Sequence, residues 1–244
     1  MPRFFVKRED ISEGVARIYG DDAFHIARSL RMAEGDEVTL CDGSGKELFC
    51  RLTKIRDEEC LLKVISERES ESEPPVHITL FMAYPKGDKL EVVIQKAVEL
   101  GASRIVPFES SRCIKRPKAE KQEKHTARLR RIAEEAAKQC GRGRLPEVGA
   151  PISFEEMLCD ASKSTLSLFC YEDEKGLGIK EALESSPLPE TISVIVGSEG
   201  GFSPEEAEAT KKYGIKSVTL GKRILRCETA PSFALSAISY RYEL

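Results

Sequence analysis

Nowhere in the 244 residues does an apolar run approach the roughly 18 residues of a membrane-spanning helix. The opening MPRFFVKRED is charged by its third residue and has no apolar core, so no secretory leader is expected. Charge of one sign is equally scarce. Asp and Glu number 41 against 38 Lys and Arg, a net charge of −3, so no whole-molecule field marks a nucleic-acid or membrane partner. The eight cysteines, Cys41, Cys50, Cys60, Cys113, Cys140, Cys159, Cys170 and Cys227, include no C-x-x-C pair. That argues against a structural zinc site and fits reduced, mostly buried thiols in a cytoplasmic protein. His25, His77 and His125 fall in no recognisable triad, and no internal repeat is present. The phosphate-binding fingerprints G-x-G-x-x-G and G-x-x-x-x-G-K-S/T are both missing. The expectation is a soluble globular chain with no metal and no membrane partner.

What is present falls into two compositional halves. The polar stretch SERESESEPP (66–75) cannot bury apolar surface, and its prolines favour extended backbone, so it reads as a linker. We expect domains at 1–70 and 76–244 around a linker at 71–75. Before it, short strand-like runs at 4–6, 15–19, 37–41, 46–55 and 60–65 are divided by turns, with DGSG (42–45) as a hairpin signal. One helix interrupts them, capped by Asp21 or Asp22, with Ala23, Ile26, Ala27 and Leu30 on one face. A small barrel or sandwich is implied. After the linker, strands at 78–83, 104–108, 165–170, 192–196 and 216–220 alternate with helical stripes. One stripe is Leu90, Val93, Ile94, Ala97 and Val98, with Gly101 as its C-terminal cap, and another runs from Leu129 to Cys140. This predicts an α/β domain with a largely parallel sheet.

Two strand-to-helix loops carry the chemistry. The first is GSEGGF (197–202), followed by Ser203 as N-cap, Pro204 in the first turn and Glu206 completing a capping box. Ligands of open α/β sheets bind on this side. Glu199, however, stands where a phosphate would go. On this loop alone the favoured reading is a plain strand-to-helix turn, with glycines for steric reasons, over a ligand cradle. The second segment, LGKRILRCETAPS (220–232), favours a cradle. Ile224 and Leu225 stand side by side between Arg223 and Arg226, as in a loop folded back to wall an apolar pocket, with Thr229 as N-cap of the next helix.

GSEGGF and LGKRILRCETA together resemble the signature of the ribosomal RNA small-subunit methyltransferase E family, in the SPOUT superfamily. Similar blocks lie along the whole chain: PRFFV (2–6), HIARSLRMAEGD (25–36), KGDKLEVVIQKAVELGASRIVPF (86–108) and EEAAKQCGRGRLP (134–146). One departure is Ser198, where the family usually has proline. The resemblance implies an α/β C-terminal domain with a trefoil knot, a PUA-like β-barrel before it, and a homodimer formed through the knotted region. It implies S-adenosylmethionine as cofactor, which has no phosphate and carries a sulfonium that Glu199 would not repel. The implied cofactor residues are Tyr171, Gly197, Ser198, Glu199, Gly200, Gly201, Leu220, Gly221, Ile224, Leu225 and Thr229.

The implied reaction is methylation of N3 of a uridine in 16S ribosomal RNA. Uracil N3 must lose a proton, and a cation near O2 or O4 would stabilise the anion, for which Arg226 is the candidate. Glu228 either serves as a base or orients that arginine. Methylation at a ring nitrogen needs no covalent adduct, so Cys227 reads as structural. For the RNA partner, residues 112–144 hold 12 Lys and Arg against 4 Glu. That basic stripe suits phosphate contacts. Arg112, Arg128, Arg131 and Arg142 within it, with Arg3, Arg28 and Arg31 before the linker, are the RNA-binding candidates. Arg28 and Arg31 are three apart and so share a helix face. The competing readings are a SPOUT enzyme acting on another nucleoside, a non-catalytic RNA-binding or ribosome-assembly protein, and a nucleotide-dependent oxidoreductase. The block at 25–45 argues against the first, the two intact loops against the second, and the missing fingerprint against the third.

Overall fold

Two compact units make up the chain in the computed structural model, which describes residues 1–113 and 119–244, without the side chains of 119–121. Unit 1 is Met1–Glu73 with Ala137–Leu145, and unit 2 is Pro74–Ala136 with Pro146–Leu244.

In unit 1, period-two alternation buries one face of each strand. The strands are β1 (Arg3–Phe5), β2 (Ile11–Ser12), β3 (Val15–Tyr19), β4 (Glu37–Cys41), β5 (Lys46–Ile55) and β6 (Glu59–Glu69). They form one sheet in the order β1-β4-β5-β6-β3-β2, antiparallel except for β1 with β4. Register shifts between Phe49 and Cys50 and between Leu52 and Lys54 bend the long β5–β6 ribbon, and the sheet curls around Phe4, Ile18, Ile26, Val38, Leu40, Leu52 and Leu62. The DGSG turn joins β4 to β5 as expected, with the Asp42 carboxylate accepting from Ser44 and Lys46.

Two expectations for this half need correction. The interrupting helix, α1 (Gly20–Phe24), passes into a π-helical turn over His25–Ser29, and its N-cap is Tyr19 without a side-chain bond, with Asp21 and Asp22 in the first turn. The wider turn rotates the later residues, so Ala23 and Ile26 are buried but Leu30 is 41% exposed. Arg31 has φ of +51° and lies past the helix end, so it does not share a helical face with Arg28. The other correction concerns the polar stretch at 66–75. Its first four residues continue β6, paired with Lys46, Glu47, Leu48 and Phe49 of β5. Main-chain pairing, not side-chain burial, holds them there.

In unit 2, β7 (His77–Ala83), β8 (Arg104–Glu109), β9 (Glu147–Val148), β10 (Ile152–Ser153), β11 (Leu166–Cys170), β12 (Thr191–Val196) and β13 (Lys216–Val218) form a wholly parallel sheet. The order is β10-β8-β7-β12-β11-β13, with β9 also on β8. The near-continuous apolar runs of β7, β11 and β12 are buried on both faces, as crossover helices require. Those helices are α2 (Lys89–Glu99), α3 (Ala119–Cys140), α4 (Phe154–Ala161), α5 (Ile179–Glu184), α6 (Pro204–Lys211) and α7 (Thr229–Tyr242). Leu90, Val93, Ile94, Ala97 and Val98 of α2 are all buried, and Gly101 follows the helix with φ of +87°. Helix α6 starts on the expected capping box. Ser203 Oγ accepts from the Glu206 amide and the Glu206 carboxylate accepts from the Ser203 amide, an arrangement worth about 1 kcal/mol. Strand β12 lies between β7 and β11, so the C-terminal ends of β11, β12 and β13 adjoin, and three loops emerge side by side. Among the described residues no helix is long and apolar enough to cross a membrane. Five of the eight cysteines are buried.

Candidate functional site

The three loops enclose a cavity of about 510 Å³. Tyr171 and Glu172 follow β11. Gly197, Ser198, Glu199, Gly200 and Gly201 follow β12. Thr219 to Cys227 follow β13, and Lys89 and Ala230 complete the wall. Every expected cofactor residue borders this cavity except Thr229. That residue opens α7 outside the wall, and the N-cap position belongs to Glu228, without a side-chain cap bond.

The loop at 197–202 is tied on every side. Phe202 is 1% exposed and its ring lies 4.1 Å from that of Phe169, tilted by 34°, anchoring the loop in the aromatic core with Phe108 and Phe154. The amide of Gly201 donates to the Ser198 carbonyl at 3.0 Å. Arg112 donates to the Gly200 carbonyl at 2.9 Å, and a Cβ on Gly200 would stand 2.9 Å from Arg112 Cβ. Gly201 has φ of +61°, and a Cβ there would fall on the Glu172 carboxylate. These two glycines are therefore demanded by close approach and by a left-handed backbone. Ser198 Oγ is buried without a hydrogen-bond partner among the described residues.

Glu199 has a defined set of partners. Its carboxylate accepts from the Lys86 amide at 3.1 and 3.2 Å and pairs with Lys89 Nζ at 3.0 Å. Burial acts to raise its pKa, and the Lys89 and backbone hydrogen bonds outweigh it, holding the carboxyl below its ordinary value. Lys89 Nζ also lies 3.4 Å from Glu228 Oε2 and 3.9 Å from Cys227 Sγ. The Cys227 thiol donates to Glu228 at 3.2 Å. Burial first, and that bond second, push the Cys227 pKa up to about 12, so at neutral pH it is an un-ionised thiol and no nucleophile. The Cys227 hydrogen bond, with Lys89 in support, holds the Glu228 carboxyl below its ordinary value. Glu228 is thus engaged with Lys89 and Cys227, not with Arg226.

The loop at 219–228 is open by comparison. Lys222, Arg223 and Arg226 are exposed, and none of their side chains makes a hydrogen bond or ion pair among the described residues. Ile224 borders the cavity with 88% of its surface exposed, while Leu225 is half-buried. The carbonyl of Arg226 accepts from the Thr229 and Ala230 amides at 2.9 Å, which fixes its backbone at the start of α7.

The arginines expected to meet RNA divide into two sets. Arg28, Arg31, Arg112, Arg128 and Arg131 are exposed, with Arg28 paired to Asp57 and Arg128 to Glu91. Arg3 and Arg142 point inward. Arg3 donates to the buried Glu47 at 2.7 Å, and Arg142, 3% exposed, pairs with Glu73 at 2.7 Å. Both guanidiniums hold unit 1 together and leave little for a phosphate. Lys115, Arg116 and Lys118 of the basic stripe, and the side chain of Lys121, lie outside what the structure describes. Sequence reasoning missed Lys89 and Glu172. The one local signal for Lys89 is a cation in the first turn of a helix, where the macrodipole disfavours it.

Comparison with known proteins gives this architecture a class. The RNA methyltransferase domain family matches residues 72–239, and the RNA methyltransferase PUA domain family matches 18–65. The ribosomal RNA small subunit methyltransferase E of Bacillus subtilis is 34% identical over 251 residues, covering 100% of this chain and 98% of the relative. That of Synechocystis is 34% identical, covering 97% and 77%. Among solved structures, the ribosomal RNA small subunit methyltransferase E of Neisseria gonorrhoeae bound to S-adenosyl methionine superposes with a TM-score of 0.86 at 33% identity, covering 98% and 97% of the two chains. A Legionella pneumophila methyltransferase in complex with the same cofactor gives 0.86 at 30% identity, covering 98% and 96%. The class is an RNA methyltransferase with a PUA domain ahead of an α/β domain. Within that class, the chain belongs to the ribosomal RNA small subunit methyltransferase E family.

Proposed function

We propose that this protein binds S-adenosylmethionine in the cavity at the ends of β11, β12 and β13 and methylates N3 of a uridine in 16S ribosomal RNA. The observation that carries this reading is the tied glycine loop facing an open arginine-bearing loop across one cavity, in a chain of this family. The cavity volume of about 510 Å³ suits a ligand of that size. Val196, Leu220, Leu225 and Ala230 suit an adenine, and the glycine backbone at 197–201 admits close approach. The carboxylates of Glu172 and Glu199 suit a cationic ligand. The unpartnered Ser198 hydroxyl remains available as a donor.

The bound cofactor supplies an electrophilic methyl group on a sulfonium. The chain's own part is to orient the base and to hold charge. Arg226 borders the cavity with a guanidinium that has no partner among the described residues, so it is available to uracil O2 or O4 as the N3 proton leaves. Glu228 positions Lys89 and Cys227. Its lowered pKa makes it a weak base, which favours the positioning role over proton abstraction.

In this reading unit 2 carries the transfer, and both units contribute arginines to RNA binding. Arg28, Arg31, Arg112, Arg128 and Arg131 are the exposed arginines that would meet phosphates. The insertion of β12 between β7 and β11 is consistent with a trefoil knot in unit 2. Phe233 and Tyr240, 41% and 75% exposed on α7, support a homodimer through that region. The test is transfer of a labelled methyl group to small-subunit ribosomal RNA, followed by nucleoside analysis. N3-methyluridine is expected. A ribose-methylated or differently methylated product would overturn the assignment.

A further inference from the structure

Lys89 breaks a local rule. It opens α2, whose N-terminal end carries the positive pole of the helix and so disfavours a cation. Its compensation lies outside the helix. The ammonium stands 3.0 Å from Glu199 on the loop after β12 and 3.4 Å from Glu228 on the loop after β13. These carboxylates are 26% and 25% exposed, so solvent screens them only in part. Glu172, the other carboxylate that lines the cavity beside Glu199, is exposed, while Glu228 stands just behind the wall next to Cys227. Lys89 therefore does two things: it fastens the two loops to α2, and it removes one negative charge from the base of the cavity.

We propose that Lys89 is a positioning residue that sets how far the cavity favours the cationic cofactor over its neutral thioether product, by offsetting one of the two negative charges of Glu199 and Glu228. This rests on the cofactor reading above. Methyl transfer would form the N3–carbon bond from the N3 electron pair and break the sulfur–carbon bond, whose pair stays on sulfur; the N3 proton would leave to solvent and the sulfonium charge would disappear. Any surplus negative charge near the cavity stabilises the cofactor more than the transition state, in which that charge is already fading. The surplus tightens cofactor binding and slows the reaction together. Lys89 keeps that surplus small.

The test measures the dissociation constants of S-adenosylmethionine and S-adenosylhomocysteine by calorimetry, together with the melting temperature of the ligand-free protein and the single-turnover rate. Lys89→Met removes the charge and keeps the length. It should shift the ratio of the two constants about threefold to tenfold toward S-adenosylmethionine, as expected for one unit charge acting through a partly solvated wall. The rate should fall by a similar factor. Lys89→Arg should keep the wild-type ratio. Combining Lys89→Met with Glu228→Gln restores the charge and should bring the ratio back. A clasp without an electrostatic role would weaken both ligands equally in Lys89→Met, lower the melting temperature and resist this rescue; an unchanged ratio overturns the inference. Wild-type protein that binds neither ligand overturns the cofactor reading itself, and this inference with it.

Discussion

The two loops that wall the cavity are built in opposite ways. The one after β12 is fixed before any ligand arrives: Phe202 anchors it, Arg112 backs it, and Lys86 and Lys89 hold Glu199. The one after β13 is fastened at its end by the Arg226 carbonyl and by Lys89 on Glu228, while ahead of them Lys222, Arg223 and Ile224 stand in solvent. A preformed cradle reduces the ordering cost of binding, and an unpacked segment leaves side chains for the incoming partner. The division suggests that the first loop serves affinity and the second serves the reaction.

The sharpest way to break this contrast is Arg226→Ala. It should lower the single-turnover rate on the order of 100- to 1000-fold while cofactor affinity stays within about threefold, with Arg226→Lys recovering only part. A full rate in the alanine variant would remove the catalytic role. Next in size is Gly201→Ala. The left-handed backbone alone should cost about 1–2 kcal/mol of stability, and the Glu172 carboxylate must move, so melting temperature and cofactor affinity should fall together. Ile224→Ser should behave oppositely. The side chain is already 88% exposed, so stability should change by about 0.5 kcal/mol or less. Cofactor affinity should drop about fivefold as the apolar cover is lost. Smallest is the pH effect of the Lys89 pairing. Glu199 and Glu228 have folded pKa values below the ordinary 4.5, so their contribution is present above that value and disappears as pH falls through the lowered one. Melting temperatures of wild type and Glu228→Gln should differ slightly at pH 7 and converge as pH falls through the lowered Glu228 value.

The sequence was most informative where the signal is local. The Ser203–Glu206 box, the α2 stripe and the apolar strands of unit 2 all depend on spacings within one element, and all appear as expected. The loops could be located because each follows a strand and precedes a helix. Long-range partners were not legible. Lys89 and Cys227 are 138 residues apart, and nothing near either names the other. Arg3 and Arg142 carried the same composition signal as their exposed counterparts, and only the fold reveals Glu47 and Glu73 beside them. The stretch at 66–69 misled for a related reason: polar side chains do not preclude a strand whose backbone is paired along its neighbour.

Unit 1 has a discontinuous recipe. The Glu73 carboxylate receives Arg142 and the amides of Gly143 and Arg144, all from the segment Ala137–Leu145. During synthesis, the first 73 residues can leave the ribosome and curl their sheet, but the final strip of that unit is still unmade. Another 72 residues, up to Leu145, must emerge before it can be laid in. The amino-terminal half is thus completed only after much of its neighbour has been translated. A dissected fragment ending at Glu73 would carry that carboxylate without the partners that complete it.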